Sequence, residues 1–129
     1  MKKITFLAVL ILALALSTLA ACGGGSTSSS STKYTVNMSG VQFDVSSITV
    51  PKGSTITFTT ASGGAAHSLV NGTDGQPHPE QGAPDFGNGG QTVGSGASWT
   101  SPPWNTAGTF HVTCTYHPTT MTMTVVVTG

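Results

Sequence analysis

Four residues near the C-terminus are of types that bind a metal together. Cys114, His117, Met121 and Met123 fall within the run Cys114-Thr-Tyr-His117-Pro-Thr-Thr-Met121-Thr-Met123. A thiolate, an imidazole and a thioether on one strand–loop–strand hairpin make a soft donor set, and soft sulfur with imidazole selects copper. Thioether is a poor zinc ligand, so zinc is the weaker match. Two imidazoles and one thiolate in a plane, with a long axial thioether, form the blue-copper arrangement. That set needs a second histidine, and His67, far upstream at the start of a strand, is the candidate. Met121 and Met123, on the same face, are both candidates for the axial thioether.

The bland readings of these residues are ordinary ones. A lone cysteine usually packs as a small hydrophobe, and methionine fills core gaps. Cys114 is set apart because the only other cysteine is Cys22. If Cys22 is modified, Cys114 has no disulfide partner, and an unpaired thiol in an oxidising compartment is a liability unless it has a task. His111 lies opposite Cys114 by strand parity and is expected at the surface. His78, in Gln-Pro-His-Pro-Glu, is expected to be exposed.

The elements that must position these side chains read as strands. Residues 109–115 alternate, with Phe110, Val112 and Cys114 pointing one way. Met121, Met123, Val125 and Val127 share one face of the last strand. Residues 54–60 place Ile56 and Phe58 against Thr55, Thr57 and Thr59. Tyr34, Val36 and Met38 alternate as well. Residues 41–50 read as extended and end at the turn Pro51-Lys52-Gly53. Residues 67–70 form a short strand, and Val93, Ala97 and Trp99 mark weaker ones. Trp99, Trp104 and Phe110 are simplest as core aromatics. Many short strands between Gly- and Pro-rich turns predict a sandwich. Residues 71–96, rich in Gly, Pro, Asn and Gln, carry no period and predict an ordered but irregular flap.

The N-terminus reads as an address. Lys2 and Lys3 precede an apolar run, residues 6–16, and small residues lead to Cys22. This is the pattern of a secretory signal rather than of a spanning helix. Leu19-Ala20-Ala21-Cys22 resembles the bacterial lipoprotein box, which implies a signal peptide over 1–21 and a lipid on Cys22. Residues 22–33, beginning Cys22-Gly-Gly-Gly, form a Gly/Ser/Thr tether with nothing to bury. The folded domain is expected over 34–129.

Composition excludes several classes. The 129 residues include 4 Lys or Arg and 4 Asp or Glu, so no basic surface exists to neutralise phosphates, and nucleic acid is not an expected partner. Charge this sparse does not suit a coiled coil. No Gly-x-Ser-x-Gly elbow is present for a serine hydrolase. Four histidines in all are too few for a multicopper oxidase or a copper nitrite reductase, so no enzyme is expected.

Two blocks resemble the cupredoxins, the small blue copper proteins typified by plastocyanin and azurin. The first runs from Val41-Gln-Phe43 through Ile48-Thr-Val50-Pro-Lys-Gly53-Ser-Thr-Ile56-Thr-Phe58 to His67-Ser-Leu-Val70. The second is Gly108-Thr-Phe110-His-Val-Thr-Cys114-Thr-Tyr-His117-Pro-Thr-Thr-Met121. The resemblance implies an all-β Greek-key β-sandwich of seven or eight strands holding one type 1 copper ion. It implies His67, Cys114, His117 and Met121 as ligands, and an electron port at His117 beside Pro118. Where the family often has Asn after the first histidine, this chain has Ser68, whose hydroxyl is expected to bond to the cysteine loop near Thr115. The implied function is one-electron transfer with transient redox partners, by a monomer tethered through Cys22 outside the cytoplasm on a bacterial membrane. Copper storage, delivery or scavenging is the alternative, with Met38, Met123, His78 and His111 as extra donors.

Overall fold

The computed structural model describes residues 32–129. The signal segment, Cys22 and most of the tether lie outside the described residues. No helix among the described residues is long and apolar enough to cross a membrane.

Ten strands form two facing sheets: β1 Lys33–Ser39, β2 Gln42–Phe43, β3 Ser47–Pro51, β4 Thr55–Thr60, β5 His67–Thr73, β6 Gln76–Pro77, β7 Gln91–Val93, β8 Ser98–Thr100, β9 Gly108–Cys114 and β10 Thr122–Thr128. One sheet has the order β2-β1-β4-β8; the other has the order β3-β10-β9-β5-β6, with β7 also paired to β5. The described residues are all-β and form a sandwich. The count exceeds seven or eight because the stretch 41–50 divides into β2 and β3, and because β6 adds a two-residue strand within 71–96. Segments that short carry no readable alternation.

The two-residue period places the core. Val36 and Met38 on β1, and Ile56 and Phe58 on β4, face Leu69, Val112, Cys114 and Val125 from the other sheet, all buried. The residues between them on β1 and β4 are mainly threonines. On the outer face of the first sheet they pair across strands, Thr57 with Thr100 at 2.8 Å and Thr59 with Ser98 at 2.9 Å. The stretch 41–50 is not one extended run. Asp44 breaks it, its carboxylate accepting from the backbone and side-chain nitrogens of Asn37 at 3.0 and 2.7 Å.

The segment 71–96 is more ordered than its composition predicts. Its first three residues continue β5, and it adds β6 and β7. Phe86 is inserted into the core, edge-on to Trp99 with ring centroids 4.9 Å apart and to Trp104 at 6.2 Å. Glu80 secures the same segment to β9, accepting from the His111 backbone N–H at 2.6 Å and lying 2.7 Å from His111 Nδ1. His111 is therefore outward-facing, as parity predicts, but is partly covered by this pairing. His78 is exposed.

Candidate metal centre

Register brings three strand ends together. Leu69 on β5 pairs with Cys114 on β9, so His67 lies two residues beyond, on the same inward face. Across β9 from β5, Thr122 on β10 pairs with Thr113 and Met123 with Val112. The same register carried one step outward sets Met121 opposite Cys114, and the Cys114 N–H donates to the Met121 carbonyl at 2.9 Å. Side chains directly opposite lie about 4.5–5.5 Å apart at Cβ, whereas diagonal neighbours lie about 7–8 Å apart. Met121 is thus the immediate cross-strand neighbour of Cys114 and Met123 the diagonal one. Both methionines are buried.

The loop between Cys114 and Met121 is wound tightly. The His117 N–H donates to the Cys114 carbonyl at 3.2 Å and the Met121 N–H to the His117 carbonyl at 3.1 Å. This winding turns His117 back over the end of the sandwich. His117 Nδ1 lies 3.7 Å from Cys114 Sγ, and His67 Nδ1 lies 3.8 Å from the same sulfur. One ligand atom from each of His67, Cys114 and His117 falls within a span of 4.8 Å. The two rings are 5.3 Å apart at their centroids.

These residues fit a metal ion. Metal–nitrogen bonds of about 2.0–2.1 Å and a metal–sulfur bond of about 2.3 Å, arranged in a trigonal plane, require nitrogen–sulfur separations of about 3.8 Å. Those are the separations found. Both histidines present Nδ1 to the sulfur. For His67 that orientation leaves Nε2 buried and without a hydrogen-bond partner, so hydrogen bonding through Nε2 does not account for how the ring is held. Burial, and then the charge of His117, lower the pKa of His67 from 6.5. Both effects favour the neutral imidazole that ligates metal.

Exposure divides the cluster. His67 and Cys114 are fully buried, while His117 is only half-buried, followed by exposed Pro118 and preceded by exposed Tyr116. A tie from the β5 side reaches the cysteine loop as expected, but through a different atom. The Thr115 N–H donates to the Ser68 backbone carbonyl at 2.9 Å, and the Ser68 hydroxyl is not the bonding group. A carbonyl contact of this kind is independent of side-chain identity and leaves no trace in the sequence. Neither of the other two histidines joins the cluster. Met38 is in the opposite sheet, paired with Phe43 and Thr60. His111 is held by Glu80, and His78 is exposed in the segment 71–96.

A model of the copper-binding proteins of the plastocyanin/azurin family matches residues 30–128. The chain belongs to this family. As a member of this family it takes copper as its cofactor and is not an enzyme. Among solved structures, amicyanin from Paracoccus versutus (Thiobacillus versutus) is similar over 74% of this chain and 81% of its own, with a TM-score of 0.54 at 17% identity. An amicyanin variant in its reduced state gives a TM-score of 0.57 at 19% identity over 74% and 82% of the two chains. The Cu(I) form of another amicyanin variant gives 0.56 at 20% identity, with the same coverage. At these identities the likeness speaks for the cupredoxin fold. A comparison with curated proteins finds no match.

Proposed function

We propose that the protein is a one-electron carrier whose type 1 copper would be held by His67, Cys114 and His117, with Met121 as the fourth donor. The observation that carries this reading is the placement of two imidazole Nδ1 atoms at 3.7 and 3.8 Å from one buried thiol. Bound there, copper supplies the Cu(II)/Cu(I) couple.

The chain's own part is to hold donors still and keep water away. Cys114 binds as the thiolate, and its burial excludes solvent and oxidants from the sulfur. His67 is fixed by the sheet, Cys114 by β9 and Met121 by its place opposite Cys114. None of these needs to move when the charge at the site changes by one. His117 is the donor that reaches the surface, and its edge beside Pro118 and Tyr116 is the route for the electron. An exposed, largely uncharged rim suits brief docking with redox partners. The copper-handling alternative has less support, because His78 and His111 do not join the cluster.

The lipoprotein-like N-terminus supports a carrier tethered outside the cytoplasm by lipid on Cys22. The Gly/Ser/Thr-rich residues after Cys22 would then join the lipid to the domain. Voltammetry of the copper-loaded chain tests the carrier reading: a reversible one-electron wave is expected, with copper retained against a Cu(I) chelator. Rapid surrender of Cu(I) and no reversible wave would favour copper handling. Cys22→Ser is expected to move the protein from the membrane to the soluble fraction; continued membrane association would rule out the lipid tether.

A further inference from the structure

The outer side of the ligand hairpin carries a hydrogen-bonded assembly that the copper ligands do not explain. After Asn71, β5 leaves the main sheet at Gly72, whose φ is +139°. A Cβ there would collide with the Gln76 carbonyl and lie 2.7 Å from the His78 nitrogen. The chain then reverses through Asp74 and Gly75, at φ +52° and +70°, between the paired residues Thr73 and Gln76. This is a two-residue type I′ hairpin with its favoured Asp-Gly sequence.

The tip of that hairpin lies over β9 and β10, behind the site. The Gly75 N–H donates to Thr113 Oγ1 at 2.9 Å, and the Asp74 N–H donates to Thr122 Oγ1 at 3.2 Å. The two hydroxyls are 2.8 Å apart. Thr113 Oγ1 also donates to the Met121 carbonyl at 3.1 Å. A hydroxyl has one proton to give and two lone pairs to accept with. If Thr122 donates to Thr113, every capacity of the Thr113 hydroxyl is used: it accepts from Gly75 and Thr122 and donates to Met121. The Met121 carbonyl also accepts the Cys114 N–H. One chain of bonds therefore runs from the tip to the carbonyl at which the backbones of the two sulfur-bearing residues are hydrogen-bonded. Gly75 is buried, and a Cβ on it would overlap Pro118, next to His117.

We propose that Thr113, assisted by Thr122, is a positioning residue for the copper loop. Its hydroxyl latches the Asp74–Gly75 turn to the Met121 carbonyl and so fixes the spacing of Cys114, His117 and Met121. This inference rests on the ligand reading above. Hydrogen bonds linked in series reinforce one another, and the exposed residues 116 and 118–120 bring little apolar packing of their own to hold the loop.

The test uses the full chain, with Thr113→Val, Thr113→Ser and Thr122→Val. In the metal-free proteins, amide exchange at Gly75 is expected to quicken about tenfold in Thr113→Val, the factor carried by one ordinary hydrogen bond. In the copper-loaded proteins, the same variant is expected to show a displaced reduction potential and an altered electron paramagnetic resonance splitting. Thr113→Ser, which keeps the hydroxyl, is expected to restore all three. If Thr113→Val does not fold, Thr122→Val carries the test, with faster exchange at Asp74 and a smaller change of the same sign. A blue parent whose valine variants match it in potential and splitting overturns the latch alone. A parent that takes up no copper overturns the ligand reading and this inference with it.

Discussion

Exchanging each hairpin methionine for leucine separates a ligand from a core residue. Met121 and Met123 are 0% and 1% exposed and lie on the same inward face, so burial does not distinguish them. Met→Leu nearly conserves volume and costs under about 1.5 kcal/mol in a core. Both variants should therefore fold, with similar small losses of stability. Register makes them unequal at the copper site. Met121 is opposite Cys114, while Met123 is opposite Val112. A donor that favours one oxidation state over the other by about 1.4 kcal/mol moves a one-electron potential by about 59 mV. Met121→Leu is expected to shift the potential by at least that amount. Met123→Leu, which lacks a contact to lose, should shift it by no more than about 20 mV on the same scale. Voltammetry of both copper-loaded variants beside the parent decides. An equal shift for the two, or a larger one for Met123→Leu, would refute the register reasoning.

Three further outcomes follow from the geometry. Ser68→Ala should cost under about 1 kcal/mol and leave the potential unchanged, because the bond to the Thr115 N–H uses the Ser68 carbonyl; a large shift in voltammetry would restore the hydroxyl to importance. Phe86→Ala should lower stability by about 3–5 kcal/mol in urea unfolding, since this ring anchors the segment 71–96 among Phe58, Trp99 and Trp104; a loss below about 1 kcal/mol would mean that the segment packs without it. The folded pKa of His67 lies below its unfolded value of 6.5, so the unfolded chain binds the proton more readily. The stability of the metal-free protein should thus be fully present above pH 6.5 and decline as pH falls below it. His67→Gln should flatten that decline in denaturant titrations at a series of pH values, and an unchanged slope would assign it elsewhere.

The parts of the fold that were legible in the sequence are those where one face is buried. Alternation from Ser54 to Thr60 and from Thr109 to Thr115 marked Ile56, Phe58, Phe110, Val112 and Cys114 as inward, and all five are buried. Donor chemistry marked His67, Cys114 and His117 for the same reason that copper would select them, and the structure gathers all three. The segment 71–96 was opaque because its order comes from single long-range contacts. Phe86 is one aromatic among glycines and prolines, and Glu80 meets His111 across 31 residues of sequence. The Asp74-Gly75 turn was the one local signal there, but the strand after it, β6, has only two residues and shows no period. Thr113 gave no sign at all. Outward threonines are common on these strands, and only the hairpin folding back over it gives this one a role.

A titration of the full chain with cupric salt, followed by visible absorption beside a Cys114→Ser variant, tests the central claim most directly. One equivalent of copper should produce an intense thiolate-to-copper band in the parent, and that band should be absent from the variant. A parent that stays colourless at saturation, or a serine variant that colours equally, would show that His67, Cys114 and His117 do not share a copper ion.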